Sequence, residues 1–259
     1  MRQLAAQRVD FVKMWVESRG GRVPKIEDSI LVAIVEEAEK YGIPLIAHIS
    51  DQSDIKKLAK FGVTDFLHTV RNSGAMGADF VEMCRGRGVH FTPTLSIHHT
   101  GWYWAENPNQ LDKPEVQVAF DEISLDFLLD REARTKSLQD PTILERKARY
   151  KHAKSFVLQM HRAGVPIAVG SDSGAGNVAM GWGTHHEMEL LVEAGLTPME
   201  ALTAATGGAA MLLDKGRSER GVLKAGNIAD LLLLEADPLV DISNTRKIER
   251  VMQAGNWVH

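Results

Sequence analysis

The segment IEDSILVAIVEEAEKYGIPLIAHI (residues 26–49) contains the unit that decides the fold. Apolar side chains recur every three to four residues in its first part, which predicts an amphipathic helix over about residues 26–41. Gly42 then ends the helix, and IPLIAHI (43–49) has the length and composition of a buried strand. The segment therefore predicts a helix followed directly by a strand.

The same rhythm continues on both sides of this unit. Further strands are predicted at VDFVKMWV (9–16), 63–70, 88–95 and 165–171. Helical patterns lie between them, and a later helix is marked by the capping sequence TPME at residues 197–200. Strands that alternate with helices favour a parallel sheet with helical crossovers, so we expect an α/β fold.

Residues 96–164 interrupt this rhythm. They hold an aromatic loop, HHTGWYWAENPNQ (98–110), followed by two charged helical stretches, and so long an insertion is typical of a lid or a pocket wall. The candidate pocket residues are His98, His99, Trp102 and Tyr103, together with His186 from a later helix. The alternative is that these aromatic side chains lie on the surface of a flexible loop.

The last forty residues differ in character from the rest of the chain. The stretches GVLKAGNIADLLLLEADP (221–238) and IERVMQAGNWVH (248–259) each place apolar runs around an Ala-Gly-Asn turn, which predicts two β-hairpins. We expect one domain over residues 1–214 and a small β appendage over residues 215–259.

Composition limits the possible functions. The chain has 259 residues, 44% hydrophobic and 25% charged, with a net charge of −4. Its basic residues are scattered, which argues against nucleic-acid binding, and no apolar run is long enough to span a membrane. A single cysteine, Cys84, and the lack of a secretion signal at the N-terminus favour a cytoplasmic protein.

Chemically useful side chains lie at or near the ends of several predicted strands. These are Lys13, His48, His68 and Asp172. The carboxyl ends of parallel strands converge on one mouth, and two imidazoles with a carboxylate form a ligand set for zinc or a similar divalent ion. Each residue also has an ordinary explanation: a hydrogen-bonded structural histidine, an aspartate in a turn, or a lysine reaching solvent from an edge strand.

These features resemble the amidohydrolase superfamily, in its imidazolonepropionase-like and Xaa-Pro dipeptidase-like branch. The matching segments are VDFVKMWV, EEAEKYGIPLIAHI, GVTDFLHTV, FTPTL, PIAVGSDSG, HHEMELLVEAGLTPMEALTAATGGAAMLL and the tail from Arg220 to His259. The resemblance implies a (β/α)8 TIM barrel, here its C-terminal portion of about strands 4–8, with a small β-sandwich appendage.

The resemblance also implies roles for individual residues. His48 and His68 would be metal ligands on the fifth and sixth strands, and Lys13 would be a carboxylated lysine bridging two ions, which a buried setting favours. Asp172 would be both a ligand and the group that takes a proton from water and returns it to the leaving group. The implied activity is hydrolysis of amide-type C–N bonds, with esters as related substrates, in small molecules and with one or two zinc ions. Arg71 would bind a substrate carboxylate, with solvent exposure as the alternative.

One departure from the family is important. The His-x-His pair of the family's first strand is absent, and we find five barrel strands where closure needs eight. Three interpretations stay open: a fragment of a longer enzyme, a chain completed by a second copy or by a missing N-terminal segment, or a barrel that no longer catalyses. Unpaired strand edges favour association with another chain.

Overall fold

The computed structural model describes residues 1–71, 76–214 and 218–258. These form two compact units, Met1–Pro93 with Gln159–Ile167 and Thr94–Leu158 with Ala168–His259. The domain boundary predicted between residues 214 and 215 adjoins residues 215–217, which lie outside the described residues. It stays a prediction.

The first unit is built on a parallel sheet. Its strands are β1 (Val12–Trp15), β2 (Leu45–His48), β3 (Asp65–Leu67) and β4 (His90–Thr92). They pair in the order β1-β2-β3-β4, with every neighbouring pair parallel. The predicted strand–helix alternation is therefore confirmed for this part of the chain, although each strand is shorter than its apolar run.

The strand predicted at residues 165–171 was wrong. Among the described residues of this stretch, Ile167 alone forms a β-bridge, with Phe91. Pro166 has no N–H to contribute to a strand ladder, and the Val169 N–H donates to a helical carbonyl oxygen at 3.0 Å. The backbone groups needed for a regular strand are thus missing or used elsewhere.

Four helices of the first unit precede or connect the strands of the parallel sheet. They are α1 (Arg2–Ala6), α2 (Asp28–Lys40), α3 (Gln52–Lys60) and α4 (Ala78–Gly86). In α2, the helix predicted from the 26–49 segment, Leu31 and Ala38 are buried, and Gly42 follows it with φ of +65°. On the strands, Ala47, Phe66 and other residues with the same alternation are also buried. The face of the sheet that carries Ala47 and Phe66 therefore contributes to the core of the first unit.

The second unit is mainly helical. Its helices are α5 (Leu95–Glu106), α6 (Pro114–Gln117), α7 (Glu122–Leu129), α8 (Arg131–Leu138), α10 (Trp182–Ala194), α11 (Pro198–Thr203) and α12 (Ala209–Leu213), and α9 (Ile143–Arg162) belongs to it as far as Leu158. Short 3-10 helices span Pro108–Asp112 and Ile242–Arg246, and a π-helical turn spans Ala204–Gly208.

The predicted aromatic loop was wrong, because residues 98–106 belong to α5. Trp102 and Trp104 are 5% and 1% exposed, so they are core residues and do not lie on a flexible surface. Trp104 packs with Leu111 and Trp182 in an apolar cluster of this unit. The capping box predicted at residues 197–200 is confirmed at the start of α11.

The chain ends in an antiparallel sheet of β5 (Leu231–Leu234), β6 (Ile248–Gln253) and β7 (Asn256–Trp257), in the order β5-β6-β7. The predicted second hairpin is confirmed as β6 and β7. The first was wrong: residues 221–230 form no strand, and β5 pairs with β6 instead. The predicted α/β class, with a parallel sheet and a small β appendage, is nevertheless confirmed. Within the described ranges, no helix combines the length and apolar character that crossing a bilayer requires.

Candidate metal centre

The candidate centre begins at the carboxyl end of β2. His48 is the last residue of this strand and is 5% exposed. Trp15 lies opposite it on β1, and the two rings stack with centroids 3.8 Å apart and planes 14° apart. Lys13 precedes Trp15 by two residues, so the period of the strand places both on the face that carries His48.

A carboxylate holds the imidazole of His48, and a guanidinium holds that carboxylate. The His48 Nε2 atom lies 2.5 Å from Oε2 of Glu17, and Nη2 of Arg71 donates to Oε1 of Glu17 at 3.0 Å. The hydrogen bond from His48 and the charge of Arg71 outweigh burial and lower the pKa of Glu17 to about 2. An ionised carboxylate can only accept, so His48 carries its proton on Nε2.

In the neutral form of the ring, the other nitrogen then carries a lone pair. The Nδ1 atom of His48 is buried, and the described part of the chain offers it no hydrogen-bond partner. Metal-ligating histidines usually donate their second ring N–H to a carboxylate or a carbonyl, while the remaining nitrogen binds the ion. The surroundings of His48 therefore fit a divalent cation.

His68 is the second predicted ligand, and it lies beside the first. It follows β3 directly, is 3% exposed, and its ring centroid is 4.2 Å from that of His48 with an interplanar angle of 66°. Its backbone has φ of +72°, in the left-handed region. For a residue with a Cβ atom, such a conformation costs about 1–3 kcal/mol, and strain of this kind concentrates at functional sites.

Lys13 differs from the expectation. Its side chain is exposed, so the buried setting expected to favour its carboxylation was wrong. Its role as a bridging ligand stays a prediction. No group of three or more histidine, cysteine, aspartate or glutamate side chains is arranged for metal binding among the residues that the structure describes.

Asp172 belongs to the second unit. It also has a left-handed backbone, with φ of +56°, and the Oγ atoms of its two neighbours, Ser171 and Ser173, are 2.7 Å apart. Its carbonyl oxygen accepts from the Ala175 N–H at 3.3 Å, which closes a tight turn. Its roles as ligand and proton acceptor stay predictions.

The candidate substrate residues of the second unit form a hydrogen-bonded ring cluster. Nδ1 of His99 lies 2.9 Å from Nε2 of His186, and the His99 ring stacks on Tyr150 with centroids 5.1 Å apart. Burial lowers the pKa of His99 to about 3, so its ring is neutral. Trp102 and Tyr103 contact the same ring. The substrate role predicted for these residues and for His98 stays a prediction.

Three residues make contacts that the sequence did not predict. Glu17 bonds to His48, and Arg71, predicted to bind a substrate carboxylate, is engaged with Glu17. Glu187 accepts from the backbone N–H groups of Leu95 and Ser96, both at 2.7 Å, at the start of α5. A charged residue shortly after a strand was the only sequence signal for Glu17.

The fold and the site define an α/β protein with a candidate metal centre at the carboxyl ends of two parallel strands. Sequence comparison gives the family. The model of the amidohydrolase family matches residues 10–258, so the chain belongs to that family. This confirms the predicted superfamily.

Individual relatives agree with this assignment. Ochratoxinase of Aspergillus niger is 27% identical over 213 residues, which cover 82% of this chain and 36% of ochratoxinase. Imidazolonepropionase of Pyrobaculum arsenaticum is 40% identical over 75 residues, 29% of this chain and 18% of that protein. The crystal structure of a Xaa-Pro dipeptidase with bound methionine matches with a TM-score of 0.69 and 22% identity, over 100% of this chain and 56% of its own. The chain thus spans about half the length of that structure and less of the curated relatives.

Proposed function

We propose that this chain carries part of a divalent-metal site that serves the hydrolysis of an amide-type C–N bond, or a related ester, in a small molecule. The observation that carries the proposal is the environment of His48. One ring nitrogen faces Glu17, while the other is buried without a hydrogen-bond partner among the described residues, beside the ring of His68.

Zinc suits these donors, because neutral imidazole nitrogen is one of its common ligands. A bound zinc ion would supply Lewis acidity, which polarises a carbonyl group and lowers the pKa of water. The chain's own residues orient the donors: Glu17 fixes the rotation of the His48 ring, and Trp15 covers one of its faces. Lys13 and Asp172 enter the proposal as a further ligand and as the proton acceptor, on the strength of the family resemblance.

Metal binding by matched variants tests this function. Isothermal titration with Zn²⁺ should give saturable binding to the wild-type chain, and binding to His48→Ala should be at least tenfold weaker. His152→Ala is the matched control, because His152 also has a buried ring nitrogen without a partner in the described structure but lies on α9. Equal affinity of all three proteins would refute the proposed site. Hydrolysis of dipeptides and N-acyl amino acids by the zinc-loaded chain then tests the reaction.

A second candidate is a subunit that acts only with another polypeptide. In the described part of the sheet, β1 pairs with β2 and has an open outer edge, and Phe11 and Trp15 are 42% and 46% exposed there. An open edge with large apolar side chains is suited to pairing with a further strand. Light scattering should then show a mass above that of one chain, whereas a monomer that hydrolyses amides alone would refute this candidate.

A further inference from the structure

The contacts of Glu17 extend beyond a single hydrogen bond. This side chain follows β1 and is 17% exposed, and its two oxygens have different partners. His48, with a 6% exposed side chain, donates to Oε2, and Arg71, with a 13% exposed side chain, donates to Oε1. Both partners are thus held by one largely buried carboxylate.

The order of these three groups determines the tautomer of His48. Arginine has only donors, so the Glu17 oxygen that faces Arg71 must accept. The second oxygen of the carboxylate also accepts, which places the His48 proton on Nε2 and the lone pair on Nδ1. The stacked ring of Trp15 restricts the rotation that would exchange the two nitrogens.

We propose that Glu17 is a positioning residue, which presents Nδ1 of His48 to a divalent cation, and that Arg71 sets the orientation of Glu17. This inference rests on the proposed metal site at His48, and it adds two residues to that site that touch neither the cation nor the substrate. Mutation of a carboxylate that accepts a hydrogen bond from a ligating histidine typically weakens metal binding 10–100-fold.

Glu17→Gln gives an unusually specific test, because Arg71 constrains the new amide. The amide oxygen must face the Arg71 donors, so its NH₂ group faces His48 and requires a lone pair on Nε2. The His48 proton then moves to Nδ1, the nitrogen proposed to bind the ion. We expect this variant to bind Co²⁺ 10–100-fold more weakly than the wild type.

Two further variants separate positioning from general damage. Glu17→Asp keeps an acceptor-only group and should remain within a few-fold of the wild-type affinity. Glu17→Gln combined with Arg71→Met removes the constraint on the amide, so its oxygen can turn to His48 and recover part of the lost affinity. A purely structural effect predicts further loss in the double variant.

Two measurements test this role. The d–d absorption of Co²⁺ monitors its binding during a titration, and ¹⁵N NMR of the His48 ring reports the tautomer in the absence of metal. A shifted tautomer and weaker binding in Glu17→Gln, with recovery in the double variant, are the expected results. An unchanged tautomer, or unchanged affinity, in Glu17→Gln would overturn the role of Glu17. A wild-type chain that binds no Co²⁺ would instead overturn the proposed function, so the two failures are distinguishable.

Discussion

Glu187 should make the stability of the protein depend on pH. Its carboxylate is fully buried and accepts from Leu95 N, Ser96 N and the Ser96 hydroxyl. Burial outweighs these hydrogen bonds and raises the pKa from 4.5 to about 7. At about 1.4 kcal/mol per pKa unit, this shift corresponds to a difference of about 3 kcal/mol in folding free energy between the protonated and the ionised form of Glu187.

The direction in which the stability changes with pH follows from proton linkage. The folded state holds this proton more tightly than the unfolded chain, so the contribution is fully present below pH 4.5 and is lost as the pH rises through about 7. Glu187→Gln has no such titration. The difference in free energy of unfolding between the wild type and this variant should therefore fall by about 2–3 kcal/mol from pH 5 to pH 8.

Urea denaturation of both proteins at several pH values measures this difference, and any constant cost of the amide cancels. Glu132→Gln is a suitable control, because Glu132 is exposed on α8 and should give a profile parallel to the wild type. A pH profile of the free energy of unfolding that is also parallel to the wild type for Glu187→Gln would refute this reasoning. Glu187 would then not bind its proton more tightly in the folded state than in the unfolded chain.

Two other predictions use local geometry and thiol chemistry. Gly221 has φ of +75°, and a Cβ atom there would lie 2.6 Å from the carbonyl oxygen of Thr206. Gly226 has φ of +94°, but a Cβ atom there would meet nothing within 4 Å. Chemical denaturation should therefore show Gly226→Ala losing about 1–2 kcal/mol and Gly221→Ala about 1–3 kcal/mol more; equal losses would argue against the clash. Burial raises the pKa of Cys84 to about 12, so a disulfide reagent should label the chain only after urea unfolding, and rapid labelling of the folded protein would contradict this.

The sequence predicts well those elements whose determinants are local. The helix α2, the stop at Gly42 and the strand β2 depend on side-chain spacing and on one residue that adopts positive φ readily. The two candidate histidines were found for the same reason, because a strand end is visible in the sequence. Their proximity, with ring centroids 4.2 Å apart, then follows from parallel pairing.

The features that the sequence did not predict depend on distant partners. Glu17 and His48 are 31 residues apart, and Glu187 is 91 or more from the backbone groups of α5 that it binds. Nothing in the spacing of either pair indicates contact. The residues from His98 onward were predicted as a loop because their aromatic composition has no clear period, whereas the helix is fixed at its start by the distant Glu187 carboxylate.

The left-handed backbone at His68 has an evolutionary consequence. Asparagine or glycine would adopt that conformation with less strain, so mutation toward either would relieve it while removing the imidazole. Under the proposed metal site, selection for stability and selection for cation binding would therefore act in opposite directions at His68. In a lineage that loses the proposed metal site, His68 should be among the first positions to change.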